Sequence, residues 1–134
     1  MADGPSLFSM TRVRILAALL ASTAALAACS GGDATPSTVP AGTDLEVHAV
    51  PGLRFDKESY EVAAGESLVA YVNDDSIHHT LVVIDDGTVV PGFELAVYKK
   101  GEIDSGSVAL EAGTYELFCT VPGHQNMRAT LTVK

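Results

Sequence analysis

Short apolar runs separated by turn residues leave this chain few folds to adopt. The runs lie at Leu45–Val50, Ser59–Val62, Ser67–Asn73, His79–Asp85, Ser107–Leu110, Thr114–Cys119 and Met127–Val133. Each run is too short for a typical helix, and many of its residues are β-branched or alternate between apolar and polar. Such runs predict an all-β, antiparallel sandwich or barrel. After the N-terminal segment no stretch shows convincing helical periodicity, although Phe93–Lys100 could carry a short turn.

The N-terminal segment has the features of an export signal. Two arginines precede the apolar stretch Ile15–Ala28, which falls short of the roughly 20 residues that a membrane-spanning helix needs. The stretch ends in Leu-Ala-Ala-Cys, which resembles the bacterial lipoprotein box. We expect residues 1–28 to be a lipoprotein signal peptide and Cys29 to carry a lipid, which places the protein on the extracytoplasmic (periplasmic) face of a bacterial membrane. The alternative is an ordinary cleaved secretion signal in which Cys29 is incidental. A start at Met10 would give a more conventional signal length.

Residues 29–44 and 45–134 differ sharply in composition. The first range is Ser, Thr, Gly, Pro and Ala with almost no large apolar side chains, which predicts a flexible tether behind the lipidated cysteine. The second range holds all the strand runs and is long enough for one domain. The formal net charge of −9 argues against nucleic acid and against electrostatic binding to anionic lipid. It is compatible with a positively charged protein partner.

Three side chains of metal-binding type lie where the last two runs meet, from the end of one run to the start of the next. Cys119 is the last residue of a predicted strand, a Pro-Gly turn follows, and His124 and Met127 come next. If Cys29 carries the lipid, Cys119 is a single thiol in an oxidising compartment, a liability unless something occupies it. Thiolate and thioether favour copper(I) and imidazole accepts copper(II), so this set suits an ion that alternates between the two. Taken singly, each of these residues usually has a structural role, in the core or in a turn. Only their occurrence together at this spacing favours a metal site.

These residues resemble the ligand loop of the cupredoxins, the family that includes plastocyanin, azurin and amicyanin. The Cys-x4-His spacing is similar to that of azurin, and the His-x2-Met spacing is similar to that of amicyanin. The segment from Asn73 to His79 resembles the turn and strand that carry the first histidine of the family. The resemblance implies a single antiparallel Greek-key β-sandwich with one mononuclear type 1 copper ion, bound by His79, Cys119, His124 and Met127.

The upstream histidine is a choice between two neighbours, His78 and His79. In the family that the chain resembles, the ligand is usually followed by Asn or Thr and then by an apolar strand, and Thr80 follows His79. Successive side chains of a strand point to opposite faces, so only one of the two imidazoles can ligate. Both arguments favour His79. By the same resemblance, Asn73 supports the turn, and Thr80 donates its N–H to the Cys119 sulfur but braces less well than the usual Asn.

Two further residues, His48 and Tyr115, are not expected to bind the metal. His48 has no comparable context and is expected to be a surface or strand residue. Tyr115 shares a strand face with Leu117 and Cys119. We expect it to be structural, like the tyrosine at the strand corner of related sandwiches.

Electron transfer is the function that the resemblance implies. His124 would lie near the surface in an apolar patch, where Val121, Pro122 and Gly123 are suited to docking a redox protein partner, and the protein would act as a monomer. The alternative is a copper carrier or buffer without redox turnover, although dedicated copper(I) carriers often use several Met or paired Cys. An enzyme with Cys119 as nucleophile and His124 as base lacks an orienting third group and a Gly-rich oxyanion loop, so no catalytic residue is expected.

Overall fold

The computed structural model describes residues 38–134. This part of the chain contains β-strands and no helix. Residues 38–134 therefore include no helical segment with the length and apolar character of a membrane span. The predicted signal peptide, the predicted lipid site at Cys29 and most of the predicted tether lie outside the described residues.

Ten strands follow one another along the described chain. They are β1 (Leu45–Val50), β2 (Arg54–Phe55), β3 (Ser59–Val62), β4 (Gly65–Asn73), β5 (His79–Asp85), β6 (Thr88–Val89), β7 (Leu95–Val97), β8 (Ile103–Leu110), β9 (Gly113–Phe118) and β10 (Arg128–Val133). All seven predicted strands are present, and β4 and β8 begin earlier in the chain than predicted. The short strands β2, β6 and β7 were not predicted, because two or three residues carry too little periodicity.

The strands form two sheets. One sheet has the order β2-β1-β4-β8, and the other has the order β3-β10-β9-β5-β6, with β7 also paired to β5. Most pairs are antiparallel, but β1 runs parallel to β4 and β3 runs parallel to β10. Side chains alternate in both kinds of pair, so the sequence pattern does not reveal the two parallel ones. The predicted all-β sandwich is confirmed.

Apolar side chains from both sheets form the core. Burial alternates along β1 and β10, as expected for strands with one face on the core. In contrast, β5 is buried at every position from His79 to Val83, so both of its faces are covered. At the edge of the core, the hydroxyl of Tyr115 donates a hydrogen bond to the carbonyl of Glu111 at 3.0 Å, which is the expected tyrosine corner. His79 thus opens the most deeply buried strand of its sheet.

The segment Phe93–Lys100, in which a short turn was expected, contains strand β7, and a turn follows in which the N–H of Glu102 donates to the carbonyl of Lys99 at 3.1 Å. Val97 lies opposite His79, and Leu95 lies opposite Leu81. Leu95 and Val97 are buried and Ala96 between them is less so, but an alternation of three residues does not separate a strand from a helix. This strand flanks His79 on the side away from β9.

The residues before β1 are bonded to the first sheet. The N–H of Asp44 donates to the carbonyl of Leu68 at 2.8 Å, and the N–H of Leu68 donates to the carboxylate of Asp44 at 2.8 Å. Bonding to the sheet thus begins directly before the predicted domain boundary at residue 45.

Candidate metal centre

Two strand ends and one loop bring the predicted donors together. Strand β5 begins at His79, and β9 ends directly before Cys119. These two strands are antiparallel neighbours, so the start of one and the end of the other lie at the same end of the sheet. His124 and Met127 lie in the loop between β9 and β10. The topology therefore gathers all four predicted donor residues at one end of the sandwich.

The donor atoms of His79, Cys119 and His124 lie within 4.8 Å of one another. The Sγ atom of Cys119 is 3.6 Å from Nδ1 of His124, and the rings of His79 and His124 are centred 5.0 Å apart. Neither His79 nor Cys119 has any exposed surface. Within residues 38–134 no other group of three His, Cys, Asp or Glu side chains has donor atoms placed to hold a metal ion.

The imidazole of His79 has one bonded and one unpartnered nitrogen. Its Nε2 lies 3.1 Å from Oδ2 of Asp75. Because a carboxylate only accepts hydrogen bonds, Nε2 carries a ring proton, and the lone pair of the neutral imidazole is then on Nδ1. That Nδ1 is buried and has no hydrogen-bond partner. A buried lone pair without a partner is costly unless a ligand binds it, so the site fits a metal ion.

His78 points away from the three-donor group. Its ring stacks on the ring of Tyr98, with centroids 4.3 Å apart and an interplanar angle of 11°. Its Nε2 is also buried without a hydrogen-bond partner. Nevertheless the group of donors beside the thiol contains His79 and not His78, which lies directly before the first residue of β5.

Asn73 and Asp75 shape the turn that precedes His79. The side-chain amide of Asn73 donates to the carbonyl of Ile77 at 2.8 Å, and its oxygen accepts the N–H of Asp75 at 2.9 Å. The N–H of Ser76 donates to Oδ1 of Asp75 at 2.7 Å, which leaves Oδ2 for His79. The Ser76 N–H and then His79 lower the pKa of the Asp75 carboxyl, so it is ionised. The contact of Asp75 was not predicted, although its position four residues before the histidine was a usable signal.

Backbone hydrogen bonds fix the loop between β9 and β10. The N–H of Cys119 donates to the carbonyl of Met127 at 3.2 Å, and the N–H of Met127 donates to the carbonyl of His124 at 2.8 Å. The N–H of His124 donates to the carbonyl of Val121 at 3.0 Å. Gly123 has φ of +90°, a backbone conformation that is unfavourable for residues with a Cβ atom, so the turn requires glycine there. The loop therefore has a shape that its own bonds determine.

Thr80 ties the start of β5 to the ligand loop. Its N–H donates to Sγ of Cys119 at 3.4 Å, and its hydroxyl lies 3.7 Å from the same sulfur. The hydroxyl oxygen also accepts the N–H of Thr120 at 2.8 Å. The N–H contact to sulfur agrees with the expectation from sequence. The bond to Thr120 was not expected, and it makes Thr80 a brace through its side chain as well as its backbone.

Apolar side chains surround the thiol. Met127 has no exposed surface and belongs to the same apolar cluster as Cys119. Tyr71 is fully buried in that cluster too, and burial followed by the charge at Cys119 raises the pKa of its phenol. Tyr71 therefore stays neutral, and the interior side of the site is lined by buried side chains of the apolar cluster.

His124 borders the surface. The residue is partly exposed, Pro122 and Gly123 beside it are exposed, and Val121 packs partly buried against the core. Burial, followed by the proximity of His79, lowers the pKa of His124. The imidazole is thereby kept in the neutral form that metal ions bind.

His48 lies outside the centre, on β1, as expected from the sequence. Its Nδ1 is 2.6 Å from Oδ2 of Asp74, and its Nε2 is 2.7 Å from Oε1 of Glu46. Burial alone would lower its pKa, but the hydrogen bonds to Asp74 and Glu46 outweigh burial and raise it. Both ring nitrogens are thus occupied by carboxylates of the protein.

A β-sandwich with a His-Cys-His group and a buried methionine at one end defines a protein that holds a single metal ion. Residues 42–134 match the family of copper binding proteins described as plastocyanin/azurin. Since this match covers most of the chain, the chain belongs to the plastocyanin/azurin family, and the resemblance to cupredoxins is confirmed. Copper is its cofactor, and the donors fit one mononuclear type 1 ion.

Solved structures share the fold at low sequence identity. Reduced auracyanin from Roseiflexus castenholzii is 20% identical, with a TM-score of 0.58 over 71% of this chain and 99% of that chain. Auracyanin A, a "blue" copper protein from Chloroflexus aurantiacus, is 23% identical, with a TM-score of 0.56 over 66% and 96%. A purple cupredoxin from Nitrosopumilus maritimus is 24% identical, with a TM-score of 0.55 over 68% and 100%. No curated protein matches the sequence.

Proposed function

We propose that this protein is a type 1 blue-copper electron-transfer protein, anchored by a lipid on Cys29 to the extracytoplasmic face of a bacterial membrane. His79, Cys119 and His124 would hold the copper ion, and the thioether of Met127 would be a further, weaker donor. The observation that carries the proposal is the convergence of donor atoms from His79, Cys119 and His124, together with a buried and unpartnered Nδ1 on His79. When bound there, copper supplies one-electron chemistry by alternating between copper(I) and copper(II).

The protein's contribution is to hold the donors still. Hydrogen bonds within the loop fix Cys119, His124 and Met127 relative to one another. Thr80 then fixes that loop relative to the strand that carries His79. A site that keeps its shape in both oxidation states needs little rearrangement when an electron arrives or leaves, which favours electron transfer.

The exit route for the electron is the edge of His124. This residue is the partly exposed member of the donor group, and the uncharged Val121, Pro122 and Gly123 lie next to it. A redox protein that docks on this patch would come close to the metal without displacing a ligand. We assign no catalytic residue, because the thiol of Cys119 has no exposed surface with which to meet a substrate.

A lipid on Cys29 would keep the domain at the membrane while the tether lets it reach its partner. The support is the Leu-Ala-Ala-Cys sequence after the apolar stretch, followed by the polar residues of the tether. Cys29→Ser should release the protein from the membrane fraction and abolish labelling by palmitate. Wild-type protein that is neither labelled nor found with membranes would contradict the anchor and leave the copper site unaffected.

The visible spectrum tests the metal site. Copper(II) added to the purified protein should produce an intense charge-transfer band, which Cys119→Ala should abolish. A colourless wild-type protein, or colour that persists in Cys119→Ala, would contradict the proposal. Reversible one-electron reduction with slow loss of copper is expected, whereas rapid copper release without reversible reduction would indicate a copper carrier.

A further inference from the structure

We infer that Asp75 is a positioning residue that lowers the reduction potential of the metal site by acting through His79. The inference rests on the proposed function, since it requires copper at His79. It comes from the contacts of one carboxylate in the turn before His79.

The carboxylate of Asp75 is held firmly against the imidazole of His79. Its Oδ2 lies 3.1 Å from Nε2 of His79, and its side chain is only 14% exposed. Its other oxygen accepts the N–H of Ser76 at 2.7 Å, and its own N–H donates to Oδ1 of Asn73 at 2.9 Å. Because both oxygens are engaged, the side chain does not swing freely into solvent.

The first consequence of this contact is orientation. A carboxylate at Nε2 keeps the ring proton there and directs the unprotonated Nδ1 towards Cys119 and His124. Carboxylate–histidine–metal arrangements fix the tautomer and the ring orientation in this way and make the ligand more basic. The unpartnered Nδ1 of His79 is the atom expected from that arrangement.

The second consequence concerns the relative stability of the two oxidation states. A negative charge beside a ligand stabilises copper(II), the more positive ion, more than it stabilises copper(I). The effect is strengthened because His79 is fully buried and water screens the pair poorly. Removal of the charge of Asp75 should therefore raise the reduction potential.

Asp74 provides a matched control in the same turn. It carries the same charge, but its carboxylate bonds to Nδ1 of His48 at 2.6 Å and its side chain is 48% exposed. Asp74→Asn and Asp75→Asn thus make the same change in net charge one residue apart. Only the second alters a group that touches His79.

The first experiment uses copper-free protein. Nitrogen NMR of 15N-labelled histidines should show His79 protonated at Nε2 in the wild type and in Asp74→Asn. In Asp75→Ala the fixed tautomer should be lost, with mixed or reversed protonation of the ring. An unchanged tautomer in Asp75→Ala would overturn the positioning role of Asp75.

The second experiment measures the reduction potential of the copper-loaded proteins. At a fixed potential, Asp75→Asn should lower the ratio of oxidised to reduced protein about tenfold, equivalent to a rise of about 59 mV for one electron. Asp74→Asn should change that ratio less than about threefold, and Asp75→Glu, which keeps the charge, should lie nearer the wild type than Asp75→Asn. Equal shifts in Asp74→Asn and Asp75→Asn, or no shift in Asp75→Asn, would overturn the inference.

The visible spectrum separates failure of this inference from failure of the proposed function. A wild-type protein without a charge-transfer band dependent on Cys119 would overturn both. A normal band with an unshifted potential in Asp75→Asn would overturn only the role of Asp75.

Discussion

Two histidines of this protein each bond to an aspartate of the turn before β5. The two arrangements differ in whether one ring nitrogen is left without a hydrogen-bond partner. His48 on β1 has carboxylates on both ring nitrogens, those of Asp74 and Glu46, and is partly exposed. His79 on β5 has a carboxylate on one nitrogen only, that of Asp75, and is fully buried. The unpartnered nitrogen of His79 belongs to a group with a thiol and a second imidazole.

The difference shows that a carboxylate beside a histidine does not by itself indicate the role of the residue. A ring bonded on both sides is an imidazolium held between charges, and it has no lone pair for a metal. A ring bonded on one side is an oriented ligand, because its second nitrogen is free and points in a fixed direction. Burial then decides how costly that free nitrogen is without a metal.

The largest expected effect is on copper binding by the two histidine variants. His79→Ala removes a metal donor and should weaken copper binding more than about 100-fold, which exceeds the usual effect of removing a residue that only hydrogen-bonds to a ligand. The charge-transfer band should be lost as well. His48→Ala should leave affinity and band unchanged. Copper titration followed by absorbance measures both. An equal loss in His48→Ala would remove the distinction between the two residues.

The next effect concerns stability with and without copper. Binding to the native state alone should stabilise wild-type protein by about 4 kcal/mol when free copper is 1,000 times its dissociation constant. Urea unfolding measures this difference. It should persist in His48→Ala and fall below about 1.5 kcal/mol in His79→Ala at the same copper concentration, and an undiminished difference in His79→Ala would place the metal elsewhere.

A smaller effect is expected at the brace beside His79. Thr80→Ala removes the hydroxyl that accepts the N–H of Thr120 and should lower the free energy of unfolding by about 1 kcal/mol. Thr80→Ser keeps the hydroxyl and serves as the control. The comparison is made by urea unfolding of the copper-free proteins. If the two variants are equally destabilised, the hydroxyl contributes nothing and the bracing belongs to the backbone alone.

The smallest effect is the pH dependence that His48 contributes. Its pKa is raised above the ordinary value of 6.5, so the folded state binds the proton more tightly than the unfolded state. Its contribution to stability is complete below pH 6.5 and is lost as the pH rises through the folded-state pKa. Because the residue is partly exposed, the loss should be less than about 1 kcal/mol.

Urea unfolding of His48→Gln across the same pH range checks this contribution. The wild type should lose slightly more stability than the variant as the pH rises. If the variant shows the same dependence on pH, the carboxylates of Asp74 and Glu46 do not hold His48 as an imidazolium.

Most of the fold follows from local pattern. Seven strands were predicted because each has enough alternating or β-branched residues to define its period. The three missed strands, β2, β6 and β7, have only two or three residues each. Strand β7 shows the limit best, since Leu95 and Val97 become recognisable as strand residues only when β5 lies beside them.

The candidate donors were also predictable, for a different reason. Cys119, His124 and Met127 lie on one loop, so their spacing is visible in the sequence. His79 is distant in sequence, and strand alternation together with the following Thr80 favoured it over His78. The contacts of Asp75 and Thr120 were not predicted, because they depend on how a turn and a loop are held in three dimensions.

The most direct test of the account is a crystal structure of the copper-loaded protein, with anomalous scattering measured at the copper edge. The account predicts a single strong peak within bonding distance of Sγ of Cys119 and of Nδ1 of both His79 and His124. A peak beside His48 and its carboxylates, or one that is bonded to His78 in place of His79, would contradict it.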